Sequence, residues 1–169
     1  SARETVADAQ AKVLAAVTSA DVEAATAQVA EASGKLATQN STWFTRARAI
    51  LDNAGGGWVH LAEYGGNCGG VSAVACNLSD GSIRVSPSFA NLSYDRKVWA
   101  MTHELAHSYQ RKVWNRIMSS PTYRSMFGGS IELLANCMAS ARGATAHGHH
   151  CSSSMIGWAS NIWNGNVPG

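Results

Sequence analysis

The sequence is poor in charged residues. Only 14% of its 169 residues are charged, and 13 basic and 11 acidic side chains leave a formal net charge of +2. Proteins that attract nucleic acid or an anionic membrane surface usually carry a strongly basic patch, and no such patch is visible. No apolar run approaches the roughly 20 residues that span a bilayer. We therefore expect neither a nucleic-acid partner nor a transmembrane segment in this sequence.

The sequence also lacks the C-x-x-C pattern of many cysteine metal sites. Its four cysteines fall into two local groups, Cys68 with Cys76 and Cys137 with Cys151. Four cysteines allow three pairings, and four free thiols or a cysteine-rich metal site are the alternatives. We predict the two short-range disulfides. Disulfides indicate an oxidising compartment, so we expect a protein that is secreted or displayed at the cell surface.

Residues 1–40 contain no aromatic residue and are rich in alanine. Small apolar residues recur there at helical spacing in two segments, and residues 18–21 offer hydroxyl and carboxylate caps for the second segment. This pattern predicts a narrow helical hairpin. Its partner is unknown, and a stalk, a partner-binding arm and a structural brace all stay open. Large core residues begin near residue 41, so we place a second domain at residues 41–169.

The second domain has a mixed pattern that predicts an α+β fold. We expect an amphipathic helix over residues 41–53, strands at 58–64 and 82–86, a surface loop over 65–76, helices that begin near Ser93 and at Ile131, and a closing helix near residues 155–162. Strand 82–86 leads toward the helix that begins near Ser93. We expect an exposed strand edge there, and an extended peptide can pair with such an edge.

The helix after Ser93 carries the strongest motif, H-E-x-x-H, at His103, Glu104 and His107. Residues four apart project from the same side of a helix, so both imidazoles can bind one metal ion with Glu104 beside them. Zinc lowers the pKa of a bound water molecule, and an adjacent carboxylate can accept its proton. Met101 and Leu105 belong to an apolar stripe on the opposite face. One face can therefore pack in the core while the other lines a cleft.

Two histidines leave a catalytic zinc ion short of one protein ligand. Two candidates follow in the sequence. One is Glu132, in the first turn of a helix that Ser130 can cap. The other is a group of histidines between Cys137 and Cys151, which consists of His147, His149 and His150.

Residues 130–139, which read SIELLANCMA, suggest a family when they are taken together with His103-Glu104-Leu105-Ala106-His107. The two segments resemble the zincin metallopeptidases of the gluzincin type, in which a glutamate on a following helix, often within E-x-x-A-D or E-x-x-A-E, completes a His₂Glu site. The resemblance covers roughly residues 83–139. It is closest to small secreted bacterial members with extra disulfides. Asn136 departs from the pattern, because the family often has a carboxylate at that position.

The resemblance implies a zincin-like core and the activity of a zinc metalloendopeptidase. One catalytic Zn²⁺ would be bound by His103, His107 and Glu132, and Glu104 would be the general base in the hydrolysis of a protein or peptide substrate. A further donor is expected to stabilise the oxyanion. Tyr123, His149 and Tyr94 are the candidates for this role, in that order.

The sequence is also compatible with two other classes of protein. A zincin-fold binding module without activity is one, and the intact Glu104 argues against it. A non-catalytic structural zinc protein is the other, and it requires a fourth protein ligand, which His147, His149 or His150 could supply.

Overall fold

The computed structural model describes residues 22–23, 42–145 and 150–169. Of the predicted hairpin, only Val22 and Glu23 fall within this set, and both are helical. The remainder of that prediction, together with His147 and His149, lies outside the described residues. The contacts of the chain group residues 41–169 into one compact unit.

Helices dominate this unit. The α-helices are Thr42–Asn53 (α1), Tyr94–Lys112 (α2), Trp114–Ser119 (α3), Pro121–Phe127 (α4), Ile131–Ala141 (α5) and Ser153–Ser160 (α6). Pro87–Asn91 and Asn161–Asn164 are 3₁₀ helices. The Ser93 hydroxyl accepts a hydrogen bond from the Arg96 amide, and the Ser130 hydroxyl accepts one from the Leu133 amide. These caps fix the starts of α2 and α5, because they bind amides that have no partner within the helix.

The strands are short. They are Leu61–Glu63 (β1), Asn67–Cys68 (β2), Val71–Ser72 (β3), Ala75–Asn77 (β4) and Ile83–Val85 (β5). One sheet has the order β1-β5-β4, in which β5 is parallel to β1 and antiparallel to β4. Strands β2 and β3 form a separate antiparallel hairpin. This combination of helices and small sheets confirms the predicted α+β class.

The edge of the larger sheet differs from the prediction. The strand expected to be exposed, at residues 82–86, corresponds to β5, which is the middle strand. The edge beside α2 is β4 instead, in a stretch that we predicted to be a loop. Cys76 lies opposite Arg84 in the register. The Ser86 amide donates to the Val74 carbonyl and the Leu78 amide to the Ser82 carbonyl. Because hydrogen-bonded and non-hydrogen-bonded pairs alternate between antiparallel strands, the backbone groups of Ala75 and Asn77 point away from β5, toward the free side of β4.

The core joins the sheet to the helices. Helix α1 buries Phe44, Ala47, Ile50 and Leu51 and packs against α2. Helix α5 packs against both α2 and α6. Within the described residues, no helix combines the length and the apolar character that crossing a membrane requires.

Both predicted disulfides are present. Cys68–Cys76 joins the β2–β3 hairpin to β4, and Cys137–Cys151 joins α5 to the segment that precedes α6. The described residues contain no free cysteine. Such bonds are typical of proteins in an oxidising compartment.

Candidate metal centre

The contact between α2 and α5 brings the three predicted ligands together. His103 and His107 lie one turn apart on α2, and Glu132 lies in the first turn of α5. His103 is 7% exposed, whereas the Glu132 side chain is 65% exposed. One ligand atom from each residue falls within 4.8 Å of the others. The group therefore forms one wall of an open site that could hold a metal ion.

The distances within this group suit a tetrahedral ion. The Nε2 atoms of His103 and His107 are 3.1 Å apart, and Glu132 Oε2 lies 3.1 Å from the first and 3.4 Å from the second. Zinc bonds of 2.0–2.1 Å place the ligand atoms of a tetrahedron about 3.3–3.4 Å apart. The three residues thus fit zinc without a large movement. Within the described part of the chain the group has three members, and His150 is not one of them.

Two amide side chains orient the histidines. His103 Nδ1 lies 2.9 Å from Asn136 Oδ1, and His107 Nδ1 lies 2.8 Å from Gln110 Oε1. Gln110 Nε2 donates to the carbonyl of Ile131, which fixes the orientation of the Gln110 amide. An amide oxygen only accepts hydrogen bonds, so a neutral ring carries its proton on Nδ1 and a lone pair on Nε2.

This tautomer has an electrostatic consequence. When both rings are neutral, the lone pairs of His103 Nε2 and His107 Nε2 converge with the Glu132 carboxylate, with no proton between the three atoms. Their mutual repulsion is relieved by a cation at the centre. Asn136 thus orients the His103 ring through a neutral acceptor, which supplies no charge to the group.

The pKa values agree with a centre that favours positive charge. Interaction with His103, and then with His107, holds the pKa of the Glu132 carboxyl well below its usual range. Burial disfavours the charged form of His107, but Glu132 and Glu104 outweigh burial, and the pKa of His107 is raised. A proton or a metal ion is thus stabilised at this position.

Glu104 lies beside the metal group in a different environment. Burial raises the pKa of its carboxyl, and the charges of His103 and His107 oppose this shift without cancelling it. A carboxylate that is partly removed from water and adjacent to a metal group is suited to exchange protons with a substrate.

The β4 edge is fastened to the metal helix by Asn77. Its Nδ2 atom donates to the Glu104 carbonyl at 3.2 Å and to Ser108 Oγ at 2.6 Å. Arg111 Nε donates to Asn77 Oδ1 at 2.8 Å, and another nitrogen of the same guanidinium donates to the Ser79 carbonyl. This network sets the spacing between the strand edge and the histidines. Sequence reasoning missed it, because Asn77 belongs to no recognisable motif.

The metal group opens into a cleft of about 790 Å³. Glu104 and all three candidate ligands line it, together with Ala75 and Asn77 of β4. Cys68 and Val71 of the β2–β3 hairpin also contribute, so the Cys68–Cys76 disulfide lies along the cleft.

Neither of the predicted oxyanion donors that the structure describes, Tyr123 and Tyr94, lines this cleft. Tyr123 is 1% exposed, its ring stacks on Phe127 and Trp158, and it does not line the cleft. This buried position disfavours Tyr123 as a donor. Tyr94 is 63% exposed and lines a different cavity. His149 lies outside the described residues. Burial, and then the charge of Glu104, raise the pKa of Tyr64, whose hydroxyl donates a hydrogen bond to the Ala73 carbonyl.

Comparison of the chain with protein-family models, with curated proteins and with solved structures finds no match.

Proposed function

We propose that the protein is a zinc-dependent metallopeptidase with a zincin-like core of the gluzincin type. The observation that carries this proposal is the convergence of His103, His107 and Glu132 at the spacing of a tetrahedral ion, with Glu104 on the same cleft wall. Three protein ligands leave one position for water or substrate, which is the arrangement of catalytic rather than structural zinc sites.

The residues divide the chemistry among them. A bound zinc ion supplies Lewis-acid activation of a water molecule and of the substrate carbonyl. Glu104 takes the proton from the attacking water and delivers it to the leaving amine. Asn136 and Gln110 hold the two imidazoles in the tautomer that leaves Nε2 free.

The free edge of β4 favours a peptide as the substrate. Ala75 and Asn77 line the cleft, and the β4–β5 register turns their backbone groups toward its free side. An extended peptide can add to such an edge through main-chain hydrogen bonds, which do not depend on the side chains of the substrate. Asn77 also binds α2, so pairing at this edge brings a peptide bond close to Glu104. The two disulfides support action outside the cytoplasm.

Replacement of Glu104 by glutamine tests the proposal. We expect the Glu104→Gln protein to keep its fold and zinc but to lose hydrolysis by roughly 10²–10⁴-fold, because the proton acceptor is removed and the ligands are not. Peptide-library cleavage by mass spectrometry gives the activity, and elemental analysis gives the zinc per chain. Glu63→Gln on β1, which does not line the cleft, is the matched control.

Near-normal turnover by Glu104→Gln would contradict the mechanism. A zinc-loaded parent protein that binds peptides but cleaves none would favour the binding module instead. A fourth protein ligand from the loop that contains His149 would favour the structural zinc protein.

A further inference from the structure

A second cavity opens beside the metal group. It has a volume of about 240 Å³ and shares Ala73, Ala75, His103 and Glu104 with the main cleft. Beyond these residues the main cleft extends along α2 toward Trp114, whereas the second cavity extends toward the start of α2. The two spaces therefore run in opposite directions from His103 along β4.

The volume of the second cavity limits what can occupy it. It is about eight times the roughly 30 Å³ that one water molecule takes up in the liquid. This is the scale of one amino-acid side chain rather than of a folded partner. A residue adjacent to the scissile bond is the part of a peptide substrate that reaches a cavity bordered by Glu104.

The walls of the cavity combine apolar surface with one cation. Leu92, Trp99 and Ala100 supply the apolar part, and the Trp99 ring lies 5.2 Å from the His103 ring, centroid to centroid. Arg96 is exposed and also lines the cavity. Within the described residues its guanidinium makes no hydrogen bond or ion pair, since only its main-chain amide is bound, by Ser93.

Arg111 provides a contrast on the same helix. It lines the main cleft, but Asn77 and Ser79 hold its guanidinium. The guanidinium of Arg111 is thus occupied by hydrogen bonds within the protein, whereas the guanidinium of Arg96 is available to a ligand. An unpaired guanidinium favours a carboxylate, with which it can form two parallel hydrogen bonds.

We propose that the cavity formed by Leu92, Arg96, Trp99 and Ala100, here called the Arg96 subsite, binds a carboxylate-bearing residue next to the scissile bond. This inference rests on the proposed peptidase function and names the substrate preference of that same site. The carboxylate belongs either to an acidic side chain or to the carboxyl terminus of the substrate. The apolar walls accommodate the carbon atoms that carry it.

Matched peptides test the preference. A peptide that the parent cleaves is synthesised with glutamate, glutamine or lysine at each position that flanks the scissile bond. We expect glutamate at one of these positions to raise kcat/KM about five-fold over glutamine, as for a solvent-accessible ion pair, and lysine to lower it. Arg96→Gln should abolish the difference and Arg96→Glu should reverse it. Arg46→Gln, which removes an exposed arginine from α1, is the control.

Carboxyl-terminal amidation distinguishes the two sources of the carboxylate. If amidation lowers kcat/KM in the parent but not in Arg96→Gln, while the glutamate and glutamine peptides are cleaved alike, the terminal carboxylate is the ligand. The opposite result identifies an acidic side chain. Cleavage by the parent with no charge preference that depends on Arg96 overturns the subsite and leaves the peptidase proposal intact.

A binding measurement separates the subsite from catalysis. Zinc-loaded Glu104→Gln protein is titrated by calorimetry with the same glutamate, glutamine and lysine peptides. We expect the Arg96→Gln substitution, introduced into the Glu104→Gln protein, to weaken binding of the carboxylate-bearing peptide about five-fold. Binding of the glutamine peptide should be unaffected. If the parent cleaves no peptide but this difference is found, the subsite stands and the peptidase proposal fails. If Arg96→Gln changes the binding of no peptide, whether its carboxyl terminus is free or amidated, the subsite is overturned.

Discussion

Glu132 occupies the first turn of α5, where any carboxylate gains about 0.3–1 kcal/mol from the helix dipole. That role requires no contact with α2. The carboxylate nevertheless lies 3.1 Å from His103 Nε2 and 3.4 Å from His107 Nε2, although much of the side chain is exposed to water. If Glu132 interacted only with the helix dipole, its side chain would be free to point into solvent. The observed contacts favour the ligand interpretation.

The Glu132→Ala variant separates these two interpretations. We expect zinc per chain after dialysis to fall well below that of the parent, because two histidines alone bind zinc weakly, and we expect activity to fall with it. The free energy of unfolding of the metal-free protein should decrease by no more than about 1 kcal/mol. Elemental analysis and urea denaturation provide the two measurements.

His149→Ala is the comparison for this variant. Full zinc in Glu132→Ala together with loss of zinc in His149→Ala would place the third ligand in the loop that contains His149. The gluzincin assignment would then be wrong.

Single residues of the site differ in how far the sequence could predict them. His103, Glu104 and His107 follow from the helix period alone, and Glu132 follows from the family resemblance. Asn77 could not be predicted, since its partners are 27 and 31 residues away and only folding brings them near. Tyr123 was a poor candidate for a related reason: nothing in its local sequence showed that it would stack on Trp158 in the core.

Among the elements, the long helices were predictable and the short ones were not. Helices α2 and α5 have clear apolar periods and serine caps. Helices α3 and α4 have only six and seven residues, too few for a period to emerge. Strand β4 has three residues and follows a glycine-rich hairpin, so its composition resembled a loop. The order of strands in the sheet depends on pairing across the chain, which local patterns do not contain.

The attachment of β4 to α2 leads to a prediction about Asn77. We expect Asn77→Ala to cost about 1–3 kcal/mol of stability, because it removes two donated hydrogen bonds and leaves the Arg111 guanidinium without one acceptor. The zinc content should stay at the parental level, and kcat/KM should fall because the strand edge is no longer held beside Glu104. Urea denaturation, elemental analysis and peptide cleavage check these three outcomes.

Asn115→Ala on α3 is the matched control, because Asn115 is exposed and lies outside the main cleft. Parental stability and parental kcat/KM in Asn77→Ala would show that β4 is held beside α2 by other contacts.

For the molecule as a whole, the two disulfides have different tasks. Cys137–Cys151 closes a chain segment of 14 residues between α5 and α6, whose contact is part of the core. Cys68–Cys76 closes a segment of 8 residues at the wall of the cleft. The first bond therefore supports the core that carries Glu132, and the second supports the cleft in which we propose that a substrate binds.

Removal of the first bond should weaken the whole unit. We expect the Cys137→Ser/Cys151→Ser variant to lose about 2–4 kcal/mol of unfolding free energy, chiefly because its unfolded chain is less restricted. The Cys68→Ser/Cys76→Ser variant should show a larger loss of kcat/KM relative to its loss of stability. Urea denaturation and peptide cleavage of both variants give the comparison. If the ratio of the loss of kcat/KM to the loss of stability is the same in both variants, the two disulfides do not have these separate roles.

The uncharged amides of Asn136 and Gln110 bear on how the protein matures. They position His103 and His107 without adding negative charge, so the repulsion within the empty ligand group is limited to that among the two lone pairs and the Glu132 carboxylate. The helices that carry the ligands are held by core residues such as Leu105 and Leu134, rather than by the metal group. We therefore expect folding to precede metal loading, unlike in a zinc finger, where the two are coupled. For an exported protein, translocation, disulfide oxidation and folding can all be completed before the first encounter with zinc.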